Sequence, residues 1–211
     1  AMADLFTLTT SSLPSGARVL SFNTREALSE LYRIELFVLL PAEAGAAPSA
    51  ESLLLTRITL ATQHDDATPR QSLHGVVAAA RVAHEVSGHT VYALSVAPTA
   101  WKLTLSEHSR VHVNRTLRQI ITDTLRAGGL AASDFDLRLR GRYDTPLEHV
   151  SQYRESDWAF VARWLERSGI YFYFEHGDAQ EKLIAVDDKG AHAPLAADPA
   201  GFNMRYWSPQ Y

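Results

Sequence analysis

Hydrophobic and polar positions alternate over the first hundred residues of this chain and then change period. Leu31 to Leu40 sets Tyr32, Ile34, Leu36, Val38 and Leu40 on one side and Arg33 and Glu35 on the other, which predicts a strand with one buried face. Shorter extended runs are expected at Leu5–Thr10, Ala17–Thr24 and Leu54–Thr62. Leu73–Glu85 and Thr90–Val96 read as a long hairpin about Val86-Ser87-Gly88-His89. Pro41–Ser52 (PAEAGAAPSAES) is small, proline-bearing and aperiodic, and is expected to be a loop. Strands at this spacing point to a closed barrel or a sandwich.

After Pro98 helical spacing joins in. Trp101–Val113 reads as extended, and Asn114 is placed to cap a helix whose Leu117, Ile120, Ile121 and Leu125 form one stripe, ended by Gly128-Gly129. Phe135–Arg140 reads as a short strand, and Pro146–Gln152 leads into the richest segment of the chain. That segment, Tyr153–Phe174 (YRESDWAFVARWLERSGIYFYF), holds eight of the twenty aromatic residues in 22 positions. Ser156 and Asp157 are N-cap types. Trp158, Val161 and Leu165 then fall at i, i+3 and i+7, with Phe160 and Trp164 beside them, so a helix with a bulky apolar face is predicted. Ser168-Gly169 ends it, and Ile170–Phe174 reads as a strand with rings on both faces. Lys182–Asp187 is a further strand across a turn at Gly177-Asp178. The final residues, with Tyr206, Trp207 and Tyr211, show little periodicity, and no internal repeat is visible.

Composition bounds the function. The 211 residues are 46% hydrophobic and 21% charged, enough for one large or two small domains with an ample core. A net charge of -4 argues against a nucleic-acid binder. The absence of cysteine excludes disulfides, thiolate zinc sites and cysteine nucleophiles together. No apolar run approaches the roughly 18 residues that span a bilayer. Residues 1–3 read as a cloning remnant and are set aside.

Candidate chemistry is sparse. His84-Glu85-Val86-Ser87-Gly88-His89 misses the H-E-x-x-H zinc spacing by one residue and suits a turn. His108 and His112 are four apart, which on a strand is too far to share an ion. Asp65-Asp66, Asp134/Asp136 and Asp187-Asp188 lack calcium-loop spacing and read as turn carboxylates. Nucleophile elbows, Walker loops and dinucleotide fingerprints do not occur. Arg138, Arg140 and Arg142 alternate along a short strand, either a solvated edge or a partner-facing, anion-binding stripe. No catalytic residue, cofactor, metal or small-molecule substrate is therefore expected. Trp101, Trp158, Phe160, Trp164, Tyr171, Phe172, Tyr173 and Phe174 stand out instead, as packing or interface anchors.

Several segments in order carry a resemblance: Glu26-Ala27-Leu28-Ser29-Glu30-Leu31-Tyr32, His74-Gly75-Val76-Val77, Tyr92-Ala93-Leu94, Pro98-Thr99-Ala100-Trp101-Lys102-Leu103, Gln152-Tyr153-Arg154-Glu155-Ser156-Asp157, and Gly169-Ile170-Tyr171-Phe172-Tyr173-Phe174-Glu175-His176. Together they resemble the N-terminal part of the VgrG family, the spike of bacterial type VI secretion systems, whose head is similar to the hub of contractile phage tails. The resemblance implies a mainly β fold with α+β insertions: phage-tail-hub-like β-barrels plus a small α/β subdomain. Residues 4–103 would form a first barrel, 104–195 an α/β insertion and the start of a second barrel, and 196–211 a truncated tail segment. It further implies a non-enzymatic homotrimer that joins a hexameric tail tube to the spike, engages effector or adaptor proteins, assembles in the cytoplasm and is then translocated. A hydrolase using two carboxylates and a free-standing effector adaptor, gripping through 41–52 or the Arg138–Arg142 strand, are the alternatives.

Overall fold

A computed structural model describes residues 6–63, 69–141 and 143–192. The strands and helices run β1 Phe6–Thr9, β2 Arg18–Arg25, β3 Arg33–Leu40, α1 Ala50–Leu53, β4 Arg57–Gln63, β5 Pro69–Val86, β6 His89–Ala97, β7 Glu107–Arg115, α2 Leu117–Ala127, β8 Phe135–Arg138, β9 Leu147–Ser156, α3 Asp157–Arg167, β10 Tyr171–His176 and β11 Glu181–Val186.

The alternating strands form one six-stranded antiparallel sheet in the order β1-β4-β5-β6-β3-β2. It curls until its edge strands lean together, where Phe6 and Phe22 meet edge to face with ring centroids 5.0 Å apart. The inward face is the one the alternation marks: Tyr32, Ile34, Leu36, Val38 and Leu40 are all buried. The β5–β6 connection is the two-residue turn Ser87-Gly88, with φ of 51° and 80°. Positive φ at both central positions matches the right-handed twist of the flanking strands. The tip also docks on the Pro41–Ser52 segment, since the Ala42 amide donates to His89 Nδ1 at 2.9 Å. That segment is therefore not a plain loop. It holds a 3-10 turn at Ala42–Ala44 and α1, which Ser49 caps by accepting from the Ser52 amide.

Three other expectations are corrected. Trp101–Val113 is not extended throughout: Thr99–Thr104 is a 3-10 turn, and β7 begins at Glu107. Beyond Pro146 the chain enters β9, a ten-residue strand from Leu147 to Ser156 paired antiparallel with β7, so Tyr153–Ser156 is strand as well. Asn114 does not cap α2. Thr116 does, in a capping box with Gln119, because its hydroxyl and the Gln119 side chain satisfy each other's backbone amides. Asn114 lies in β7 with φ of 51°, a left-handed conformation that asparagine tolerates.

The α/β region also contains a repeat that the residue identities hide. Helices α2 and α3 are both 11 residues long and displaced by 40 positions, 117 to 157 and 127 to 167. Each follows a strand carrying a left-handed residue, Asn114 or Arg154, and each has a hydroxyl cap, Thr116 or Ser156. Both end alike. Gly129 and Gly169 have φ of 89° and 69°, and the next amides, Leu130 and Ile170, return to Leu125 O and Leu165 O at 3.1 and 2.9 Å. The paired strands share a register in which Val111 faces Ser151, its own counterpart 40 residues on, so a local twofold passes between them. The two helices pack together, and β10, β11 and β8 form a three-stranded sheet with β8 parallel to β11. One continuous hydrophobic core joins barrel and α/β unit.

Candidate functional site

The barrel meets the α/β unit along a seam fastened at three places. At the first, Tyr32 donates its hydroxyl proton to His74 O at 2.5 Å, while the His74 amide donates to His176 Nδ1 at 3.1 Å. The His74 ring is held at both nitrogens: Nε2–H donates to Gly177 O at 2.6 Å, and Nδ1 lies 3.0 Å from the Thr59 hydroxyl. Carbonyls can only accept, which fixes the proton of His74 on Nε2. The rings form a stack: His74 over His176 at 5.9 Å, Tyr32 against His176 at 5.1 Å and edge-on to Phe174 at 5.0 Å. Gly75 has no room for a side chain, as a Cβ would sit 2.6 Å from Ala97 O.

At the second fastening Glu181 Oε1 accepts from both the amide and the hydroxyl of Thr99, at 2.7 and 2.6 Å. Glu181 is 4% exposed, and its Oε2 accepts no hydrogen bond among the described residues, with the Arg57 guanidinium 3.9 Å away. Charge-assisted bonds of this kind are stronger than neutral ones and justify the burial of a carboxylate. At the third, Ser29 bonds the open edge of β10: its amide donates to Phe172 O at 2.8 Å and its hydroxyl accepts from the Phe172 amide at 3.4 Å. Ser29 has φ of 59°, so the backbone is turned to reach that edge.

Burial sets the electrostatics of the seam. The Tyr32 hydroxyl is pushed far above the usual phenol range by burial, reinforced by Glu181 and Glu26. His176 is held below the ordinary histidine value, by burial first and then by His74, against the opposing pull of Glu181. Burial also raises Glu26. A second polar cluster lies under the start of α3. Asp157, 2% exposed, accepts from Arg110 at 2.7 Å and Gln152 at 2.8 Å, with His108 Nδ1 at 3.1 Å. His112 stacks on Phe160 at 5.6 Å, and burial, then Arg110, lowers its proton affinity.

The aromatic residues singled out from the sequence fall into three groups. Phe160, Phe172 and Phe174 are core. Trp158 is half-buried, edge-on to Phe172 at 5.2 Å, and Trp164 is half-buried with the Arg167 guanidinium 5.0 Å from its ring. Tyr171 and Tyr173 point to the other face of β10, where His192 lies against both rings at 5.7 and 5.1 Å. Trp101 is half-buried in the 3-10 turn against which α3 packs. Arg138 and Arg140 bond to separate partners. Arg138 grips Glu175 in two bonds of 2.7 and 2.8 Å and Asp136 in one of 2.9 Å, which raises the guanidinium and lowers Glu175. Arg140 lies beyond β8, bonded to Asp188 and Gly190 O. Arg142, Asp65-Asp66 and the 193–211 tail lie outside the described residues. Asp134 and Asp187 accept backbone amides.

Two open clefts flank the seam. One, of about 430 Å³, is lined by Glu26, Gln71, Ser72, His176 and Asp178; the other, of about 520 Å³, is lined by Ser29, Leu165, Glu166 and Phe172 among others. Among the described residues no group of three His, Asp or Glu side chains could hold a metal. Residue-by-residue reading missed Ser29, His74, Thr99, His176 and Glu181 as site residues. Four of these lie inside the quoted segments, and those segments therefore carried the signal.

A curled β-barrel locked edge to edge to an α/β layer defines a scaffold of the contractile-tail hub class. The chain belongs to the phage tail baseplate hub (GPD) family, which it matches over residues 25–205. It is 31% identical over 179 residues to type VI secretion system spike protein VgrG1b of Pseudomonas aeruginosa, an alignment covering 85% of this chain and 24% of that protein. VgrG1c of the same organism is 30% identical over 197 residues, 93% of this chain and 26% of that protein. The E. coli c3393 protein, a type VI secretion component structurally similar to T4 tail proteins gp27 and gp5, superposes with a TM-score of 0.77 at 28% identity. That match covers 89% of this chain and 51% of the other. The chain thus spans about a quarter of the length of the curated relatives it matches. The likeness to VgrG read from the sequence, and the mainly β hub fold, are borne out.

Proposed function

We propose that this chain is the hub portion of a type VI secretion spike, a structural part that joins the tail tube to the spike and carries effector or adaptor proteins. In this reading the protein is a homotrimer, assembled in the cytoplasm and then translocated, and it has no catalytic role. The observation that carries the proposal is the seam: four of the six segments by which the chain resembles VgrG meet there, and their polar groups are spent within it. The two-unit division, barrel to about residue 103 and α/β unit from about 104, is part of the same proposal. The β7–β9 ribbon is then the start of a second barrel. Its outer face leaves Val111, Val113 and Tyr153 exposed, as an interface would.

Light scattering on the gene product carrying this sequence should return three times the protomer mass. A monomer at micromolar concentration overturns the trimer. Release of soluble fragments from purified cell wall by the same preparation would favour the hydrolase reading instead.

A further inference from the structure

The His74–His176 contact differs from the other two fastenings in depending on the protonation state of a histidine. The His74 amide can only donate, so His176 Nδ1 must be bare and its proton must sit on Nε2. Protonating Nδ1 would set two donors face to face at 3.1 Å and place an imidazolium over the His74 ring, 5.9 Å away. His74 cannot turn aside, because Thr59 and Gly177 hold both of its ring nitrogens.

We propose that the His74–His176 pair is an acid-sensitive latch between the barrel and the α/β unit, closed only while the His176 imidazole is neutral. Every charged or titratable neighbour bears on it. Tyr32 packs on the ring from the approach to β3, His74 stacks from β5, and Glu181 faces it in register from β11 with Arg57 of β4 behind. Glu26 and Asp178 line the same cleft. Glu181 favours the charged ring, while burial and then His74 oppose it. Burial prevails, so the folded protein takes up this proton at lower pH than the unfolded chain. Stability contributed by the neutral ring is complete above the ordinary histidine value of about 6.5 and is lost as pH falls below it. The Thr99–Glu181 and Ser29–Phe172 fastenings involve no histidine, and a proton on His176 leaves the His74 Nε2–Gly177 bond intact, so acid releases the His74 amide at the start of the β10–β11 turn and leaves the rest of the seam closed.

Amide exchange read by NMR tests this directly. Between pH 7.5 and 5.0, the protection factor of the His74 amide, corrected for intrinsic rate, should fall at least tenfold relative to the Val77 amide. His176→Asn keeps an acceptor where Nδ1 lies and cannot titrate, so its His74 protection should stay constant. An unchanged His74 amide in the wild type, or an equal fall in His176→Asn, overturns the latch. Should that variant not fold, the imidazole nitrogen shifts of wild-type His176 decide. A proton arriving on Nδ1 in step with His74 amide deprotection supports the latch, and an ordinary titration with a still-protected amide refutes it.

Discussion

The two strand–helix units, β7–α2 and β9–α3, share a backbone plan and differ in what fills it. Ile120, Ile121 and Leu125 of the first correspond to Phe160, Val161 and Leu165 of the second, and all six are buried. At the first helical position Leu117 faces the core aliphatically, whereas Asp157 gathers Arg110, Gln152 and His108. The second unit also leads through Gly169 into β10, the strand that fastens to the barrel. One copy is a plain packing layer, while the other has taken on rings and polar contacts where it meets a second sheet. The difference teaches that the backbone plan is held by caps and glycine turns common to both, and that docking chemistry is added through the side chains.

Substitutions at paired positions can break that comparison. Phe160→Ala should cost about 3–5 kcal/mol, against about 0.5–1.5 for Ile120→Val, because the ring leaves a cavity beneath His112. Urea unfolding midpoints that reverse this order would show the aromatic copy is not the better packed. Next, Asp157→Ala should cost about 2–3 kcal/mol by leaving Gln152 and Arg110 without their shared acceptor, the Arg110 share being reduced because that side chain is partly exposed. Chemical denaturation showing no loss would mean that water satisfies the cluster. Smaller than the loss of Asp157, Gly129→Ala and Gly169→Ala should each cost about 1–2 kcal/mol and equally so, since both impose positive φ and neither Cβ would touch another atom. A twofold difference in the thermal unfolding shifts would show that the shared plan is not symmetric.

Much of the barrel was legible from alternation alone, because strands such as β3 have one wet and one dry face. Helices α2 and α3 and their glycine stops were equally plain, whereas the one-turn α1 was not. Thr116 was overlooked because Asn114, two residues earlier, is itself a favoured cap type, and only the backbone shows it turned left-handed inside a strand. The 40-residue repeat was hidden because within the aligned helices and turns only Leu125/Leu165 and Gly129/Gly169 are identical, while geometry preserves the rest. The seam could not be read from periodicity. His74 meets His176 across 102 positions and Ser29 meets Phe172 across 143, and no local pattern encodes such pairs.

That last separation bears on how the protein is made. Ser29 emerges from the ribosome long before Phe172, and contacts so distant in sequence are slow to form. At about 5–20 residues per second, synthesis leaves roughly 4–15 s between the end of β6 at Ala97 and Phe172, in which the nascent barrel exists without the strand that clasps it. During that interval Tyr32 and the amide of His74 face solvent, so a chaperone or an early-binding subunit would find its opening there, on the side of the barrel that the finished molecule hides.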